Sequence, residues 1–165
     1  MTATNEAQVS GFDFNDYISI VANKGPMIEA RLRFTVVPAA NQRFVFGLVS
    51  AFSAVFDNIV TNAMFRIEGA GGALLVETDD GTTDTDDQAS NPANALVDAT
   101  DYTFLIDMRD TSSVKFYFDG AHVGTTSMAA IGNSRLQPAA YFQKDSGTGT
   151  GGFTIDYVRI QYDRV

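Results

Sequence analysis

Six carboxylates lie within fifteen consecutive residues of this chain, and carboxylates at that density can bind a cation or act as acid and base. The stretch is VETDDGTTDTDDQAS, residues 76–90, with one glutamate and five aspartates. Carboxylate oxygens are preferred ligands of Ca²⁺, which a flexible loop can surround with about six to eight oxygens. Two carboxylates about 5 Å apart are also the arrangement that retaining glycoside hydrolysis requires. The stretch therefore raises a metal site and a catalytic pocket as hypotheses.

The calcium hypothesis fails in its strictest form, because the EF-hand pattern does not fit. Aligning Gly81 with the invariant glycine of that loop puts Val76 and Thr78 where the first oxygen ligands belong. A looser calcium site stays open, and its candidate ligands are Asp79, Asp80, Asp84, Asp86 and Asp87. Apart from this calcium alternative, we expect no metal and no other cofactor.

A structural interpretation of the same stretch is favoured. GALLVE (72–77) is typical of a strand, TDDGT (78–82) of a turn, and TDTD (83–86) of a polar outer strand. Charges on an outer strand stay in water and discourage pairing with another chain. We therefore expect an acidic hairpin at the edge of a sheet.

Other motifs of catalytic sites are also absent or misplaced. No E-x-D-x-E strand motif is present to pair two carboxylates for glycoside hydrolysis. The single histidine, His122, follows the Asp119-Gly120 turn, and a surface hairpin is a poor place for a preorganised triad. GTGTGG (147–152) precedes a strand instead of opening a helix, so it lacks the geometry that cradles phosphate. We expect a protein that is not an enzyme and has no catalytic residues.

The elements that must position these residues are strands, because alternation with a period of two dominates the sequence. In MIEARLRFTV (27–36), apolar side chains occupy one face and Glu29, Arg31 and Arg33 the other, as in a strand with one face on a core. The same pattern predicts strands within 43–49, 101–109 and 114–120, with shorter ones at 17–22, 63–68, 73–78, 121–126 and 137–144. In the closing strand the apolar phase changes near Asp156 and Tyr157, which predicts either a bulge or a strand buried on both faces.

About ten short strands with regular turn signals predict an all-β fold, an antiparallel two-sheet β-sandwich. Asp119-Gly120 between two alternating runs predicts a type I′ hairpin. Short helical turns are expected only within 50–63, 92–99 and 127–133. Residues 1–11 are polar and lack a pattern, so we expect a flexible N-terminal arm followed by one domain at 12–165.

Composition excludes several classes of protein. The chain of 165 residues has a formal charge of −9, and its eleven lysines and arginines are dispersed, which argues against a nucleic-acid partner. No apolar run reaches the roughly 20 residues of a membrane span, and the N-terminus lacks the pattern of a signal peptide. Cysteine is absent, so disulfides and thiolate zinc sites are excluded.

Four segments, in this order, resemble the concanavalin A-like, laminin-G-type jelly-roll domains, particularly those of tailed-phage virion proteins. The segments are GPMIEARLRF (25–34), FGLVSA (46–51), VKFYFDGAHVGTT (114–126) and LQPAAYFQKDSGTGTGGFTIDYVRI (136–160). The resemblance extends over residues 12–162. These positions specify strands and turns rather than a reaction centre, so the resemblance informs the fold more than the activity.

The resemblance implies two functions. The first is a non-enzymatic virion structural protein, a capsid decoration or tail-associated domain that binds capsid or tail subunits and is made in the host cytoplasm. The alternative is a lectin-like adhesion module that binds a surface glycan, for which Tyr117, opposite the Phe116 and Phe118 face, is the candidate contact. A homo-oligomer is compatible with both, since many copies would strengthen weak binding.

Overall fold

The computed structural model describes residues 1–15, 17, 19–69, 72–91, 93 and 95–162, and these form two antiparallel sheets. The strands are β1 (Gln8–Phe12), β2 (Ile20–Val21), β3 (Met27–Val36), β4 (Gln42–Val49), β5 (Thr61–Glu68), β6 (Ala73–Asp80), β7 (Asp84–Ala89), β8 (Thr100–Asp107), β9 (Val114–Phe118), β10 (Ala121–Thr126), β11 (Arg135–Lys144) and β12 (Gly152–Gln161). The predicted all-β sandwich is confirmed. The expected domain end at 163–165 lies outside the described residues.

The two sheets are built largely from strands that are distant in sequence. The seven-stranded sheet has the order β1-β11-β4-β5-β6-β7, with β2 paired to β11. The five-stranded sheet has the order β10-β9-β8-β3-β12. Hairpins such as β5-β6 alternate with long crossovers such as β4-β11, and this mixture is typical of a jelly roll.

The core lies between the sheets and follows the alternation seen in the sequence. Ile28, Leu32 and Phe34 of β3 are fully buried. Phe65 of β5 contacts Phe104 and Phe116 of the opposite sheet edge-to-face, with ring centroids 5.1 and 5.2 Å apart. Burial of each ring contributes about 1.5–3 kcal/mol to the free energy of folding, and this stabilises the packing of the two sheets against each other.

Two local predictions are confirmed. Asp119 and Gly120 have φ angles of 48° and 79°, the left-handed conformation that a type I′ turn needs at both central residues. In β12 the pairing with β3 shifts between Ile155 and Tyr157, which places the bulge at Asp156. Of the strand expected at 17–22, only β2 forms, and residue 18 lies outside the described residues.

Within the expected N-terminal arm, Gln8–Phe12 form β1 and pair with β11 from Lys144 to Ala140. The buried Lys144 ammonium also donates to the carbonyl oxygens of Thr2 and Thr4, at 2.8 and 2.7 Å. Strand β1 has no apolar alternation. Backbone hydrogen bonds to the edge of the sheet at β11 hold it in place instead of a buried apolar face. A boundary at residue 12 therefore falls inside a strand.

The segment 50–60, between β4 and β5, folds over the outer face of the seven-stranded sheet. Its Phe56 and Ile59 are buried in a second apolar cluster with Val45, Met64 and Tyr141, separate from the core between the sheets. The helical turn expected within 50–63 is a three-residue 3₁₀ helix, Phe56–Asn58. The described residues of 92–99 and 127–133 form turns, irregular segments and an isolated bridge at Ala95 instead of helices. Among the residues described, no helix is long and apolar enough to cross a membrane.

Candidate functional site

The segment 50–60 divides the outer face of the seven-stranded sheet into two parts. On the side of β1 and β11 lies a cavity of about 650 Å³, here called the aromatic groove. Its lining residues are Val9, Gly11, Phe12, Asp13, Phe52, Ala54 and Tyr141. On the side of β5, β6 and β7 lies an acidic cluster, formed by Asp57, Glu68, Glu77, Asp86 and Asp87 around Arg66.

The aromatic groove has an apolar wall and a carboxylate. Phe52 is 42% exposed, and its ring packs edge-to-face on Tyr141 with centroids 4.7 Å apart. The Tyr141 hydroxyl donates to Asp13 Oδ2, and the Asn15 backbone N–H donates to Asp13 Oδ1 at 2.8 Å. The carboxylate is therefore held in a fixed orientation while its remaining lone pairs can accept hydrogen bonds. This arrangement offers an apolar ring face beside a hydrogen-bond acceptor.

Gly11 allows β1 to approach β11 closely at the groove. A Cβ atom at this position would lie 2.2 Å from the Ala140 carbonyl oxygen and 2.8 Å from the Tyr141 Cα. Any larger residue would push β1 away from β11. The glycine thus keeps Val9, Phe12 and Asp13 beside the Tyr141 ring.

The acidic cluster is arranged around the buried guanidinium of Arg66, which is 2% exposed. Nη1 contacts Asp57 and donates to Glu77 Oε2 at 2.9 Å. Nε donates to Glu68 Oε1 at 2.9 Å. Burial opposes the charged form of Arg66, but its hydrogen bonds to the carboxylates outweigh burial and raise its pKa. Because Asp57 belongs to the segment 50–60, this ion pair also fastens that segment to the sheet.

A β-bulge in β7 brings additional carboxylates to the cluster. The pairing of β6 with β7 shifts between Val76 and Thr78, so that Asp86 and Asp87 both lie opposite Glu77. Asp87 has a φ angle of 45°, the left-handed conformation that aspartate tolerates better than most residues. The pKa of Glu77 is raised to about 7, chiefly by burial; the hydrogen bond and charge of Arg66 oppose this rise, and the charges of Asp86 and Asp87 contribute to it.

The five calcium candidates do not converge on one point. Asp80 accepts hydrogen bonds from the backbone N–H groups of Thr82, Thr83 and Ala130 at 2.8–3.0 Å, and Asp79 accepts one from Gly81. These two carboxylates order the turn between β6 and β7. The oxygens of Asp57, Glu77 and Asp86 do lie within 4.8 Å of one another.

Arg66 already supplies a cation to that group of oxygens. Its Nη1 atom contacts Asp57 and Glu77, two of the three carboxylates that a metal ion would need. A divalent ion there would lie beside a guanidinium, and the two like charges would repel each other. The geometry therefore favours an internal ion-pair network over a metal site at this position.

We expect the free energy of unfolding to fall as the pH rises from about 5 to about 7.5. Glu77 keeps its proton up to a pKa of about 7 in the folded protein, against an ordinary value of 4.5. The folded state therefore binds more protons in this window, and stability decreases with pH, by on the order of 1–3 kcal/mol. Burial also raises the pKa of Asp84 and Asp87, which act in the same direction.

Urea denaturation at several pH values measures this slope. Glu77→Gln keeps the shape of the side chain and removes the titrating group, so it should flatten the slope between these pH values. A stability that rises with pH in this window would contradict the assignment.

The other sequence candidates belong neither to the lining of the aromatic groove nor to the acidic cluster. Tyr117 is on the outer face of the five-stranded sheet, as the alternation predicted, and its ring contacts His122 with centroids 5.4 Å apart. A ligand role for Tyr117 stays a prediction. His122 is exposed in β10 and its Nε2 atom lies 2.8 Å from Thr125 Oγ1. At 147–152, a Cβ on Gly151 would overlap Phe142 at 2.0 Å, which gives this glycine a packing role.

Sequence reasoning missed the residues of the groove and the centre of the cluster. Asp13 and Phe52 lie in irregular segments, and the distance along the chain to Tyr141 gives no sign that they meet. Arg66 could have been found, because an arginine in the alternating run TNAMFRIE points away from the Phe65 face and toward the acidic strands.

Comparison with known proteins identifies the fold of this chain but does not assign it to a family. No protein-family model matches the sequence, and a search of curated proteins finds no match. Among solved structures, the carbohydrate recognition domain of Emp47p matches with a TM-score of 0.69 and 10% identity, over 97% of this chain and 81% of that chain. The corresponding domain of Emp46p in a potassium-bound form matches with a TM-score of 0.66 and 14% identity, over 99% and 82%.

The same fold also occurs in an enzyme. The alginate lyase AlgAT5 of polysaccharide lyase family 7 matches with a TM-score of 0.52 and 18% identity, over 89% of this chain and 63% of that chain. At these identities the similarity concerns the backbone arrangement alone. The chain therefore has the concanavalin A-like jelly-roll fold that its sequence segments resemble.

Proposed function

We propose that this protein is a non-enzymatic, lectin-like module that binds a glycan in the aromatic groove. The observation that carries the proposal is the exposed Phe52 ring beside the fixed Asp13 carboxylate, on an outer sheet face. An aromatic ring covers the C–H face of a sugar, and a carboxylate accepts hydrogen bonds from its hydroxyl groups. The groove thus offers the two kinds of contact that sugar recognition uses.

The structural neighbours support this proposal. The domains of Emp47p and Emp46p are carbohydrate recognition domains, and they resemble nearly the whole of this chain. The alginate lyase argues for no more than the shared fold. In the acidic cluster, Glu77 is 1% exposed and engages Arg66 and Asn62, so it is poorly placed to reach a substrate.

The virion structural role expected from the sequence resemblance stays a prediction, as do capsid or tail partners, a homo-oligomer and a location on a virion. The comparisons support the carbohydrate-binding alternative better than this role. The two roles are compatible, because display in many copies would strengthen weak binding to a glycan.

We expect Phe52→Ala to weaken glycan binding by about tenfold or more, because it removes the stacking ring. A glycan array would identify the ligand, and titration calorimetry of wild type and variant would measure the loss. Val60→Ala serves as the matched control, since Val60 is 66% exposed on the same segment but does not line the groove.

Thermal melts of both variants would show whether the segment 50–60 keeps its structure. Binding that survives Phe52→Ala unchanged would contradict the groove as the site. A complete absence of binding on the array, with the protein displayed in many copies, would contradict the function itself.

A further inference from the structure

The two outer faces of the sandwich differ in charge. Nine carboxylates lie on or border the outer face of the seven-stranded sheet: Asp13, Asp57, Glu68, Glu77, Asp79, Asp84, Asp86, Asp87 and Asp145. Arg43 and Arg66 form ion pairs with these carboxylates, and Arg135 is a third basic residue on the same side of β11 as Tyr141. The proposed binding face is therefore strongly acidic.

The opposite face is balanced. On the strands of the five-stranded sheet, four carboxylates and four basic groups are interleaved: Glu29, Asp101, Asp107 and Asp156 with Arg31, Arg33, Lys115 and Arg159. Counted on strands alone, the outer face of the seven-stranded sheet carries six carboxylates against three arginines, whereas the other face carries four against four. The acidic excess of these strands therefore lies on one side of the molecule. A field of one sign over a binding face selects ligands by charge.

Within the aromatic groove, Asp13 would meet the ligand directly. Its two oxygens are oriented by Tyr141 and Asn15 and can accept further hydrogen bonds. A protonated amine would form a charge-assisted hydrogen bond with this carboxylate, which is about twice as strong as a neutral one. A uronate or sulfate would bring a second negative charge toward Asp13.

We propose that the groove selects amine-bearing glycans over neutral ones and excludes acidic ones. This inference rests on the proposed function and names the ligand class of the same site. Asp13 is the residue that determines the specificity, and the acidic face adds a longer-range attraction that salt screens.

The test uses the backbone that the glycan array selects, prepared as free-amine, N-acetylated and acidic oligosaccharides. Calorimetry at pH 6 and low salt should show the free-amine form binding about fivefold more tightly than the N-acetylated form. The acidic form should bind most weakly. Asp13→Asn, which can still accept from Tyr141, should weaken binding of the free-amine form several-fold more than binding of the N-acetylated form, and so remove most of the amine preference. Asp101→Asn on the other face makes the same change in net charge and should leave the preference unchanged.

Two results would overturn the inference alone. They are an acidic glycan bound as tightly as the free-amine form, and an amine preference that Asp13→Asn does not reduce. An array without any bound glycan would overturn the proposed function and the inference together.

Discussion

Arg66→Met should destabilise the protein by about 3–5 kcal/mol, because it leaves a buried carboxylate without its partner cation. Arg66 is 2% exposed and Glu77 is 1% exposed, so water cannot replace the lost ion pair. The surrounding Asp57, Glu68 and Asp87 would also repel one another once the guanidinium is gone. Urea denaturation at about pH 8.5, above the Glu77 pKa of about 7, measures the loss.

The loss should shrink below pH 6, since Glu77 becomes neutral as the pH falls through its pKa of about 7. The double variant Arg66→Met with Glu77→Met should recover much of the stability, because an apolar pair leaves no buried charge. Arg43→Met is the matched control. Arg43 is about a quarter exposed and pairs with Asp145, so its loss should cost less than about 1 kcal/mol. Equal losses for the two arginines would contradict the special role of Arg66.

Gly47→Ala should cost about 3 kcal/mol or more, because a methyl group has no space at this position. Gly47 lies in β4, beneath the segment 50–60, with Met64 and Ala139 as its cross-strand partners. A Cβ atom there would lie 2.1 Å from the Ala63 carbonyl oxygen and 2.7 Å from the Met64 Cα. Since backbone atoms occupy this space, only a displacement of β5 from β4 could relieve the overlap.

Chemical denaturation would measure the effect of Gly47→Ala. Gly152→Ala is the control, because its nearest contact would be the Thr35 hydroxyl at 3.1 Å, the movable end of a side chain. We expect the control to lose less than about 1 kcal/mol. A Gly47→Ala variant of unchanged stability would show that β4 and β5 can separate without cost.

The sandwich could be predicted from the sequence because strands and turns are determined by residues that are neighbours in the chain. The period-two burial of β3 and the φ angles of Asp119 and Gly120 follow from side-chain alternation and turn chemistry, which neighbouring residues determine. The change of phase in β12 was visible for the same reason, since an extra residue reverses the alternation at Asp156.

The tertiary structure decided which residues face one another. Strand β1 carries no apolar pattern, and only its hydrogen bonds to β11 make it a strand. Asp13, Phe52 and Tyr141 meet because a crossover places β11 between β1 and β4, an order that alternation does not encode. The acidic stretch at 76–90 was correctly assigned to a hairpin, yet its interaction with Arg66 depends on the pairing of β5 with β6 and on the bulge at Asp87. Alternation determines which side of a strand is buried, whereas contacts between distant segments depend on strand order and register, which the whole chain determines.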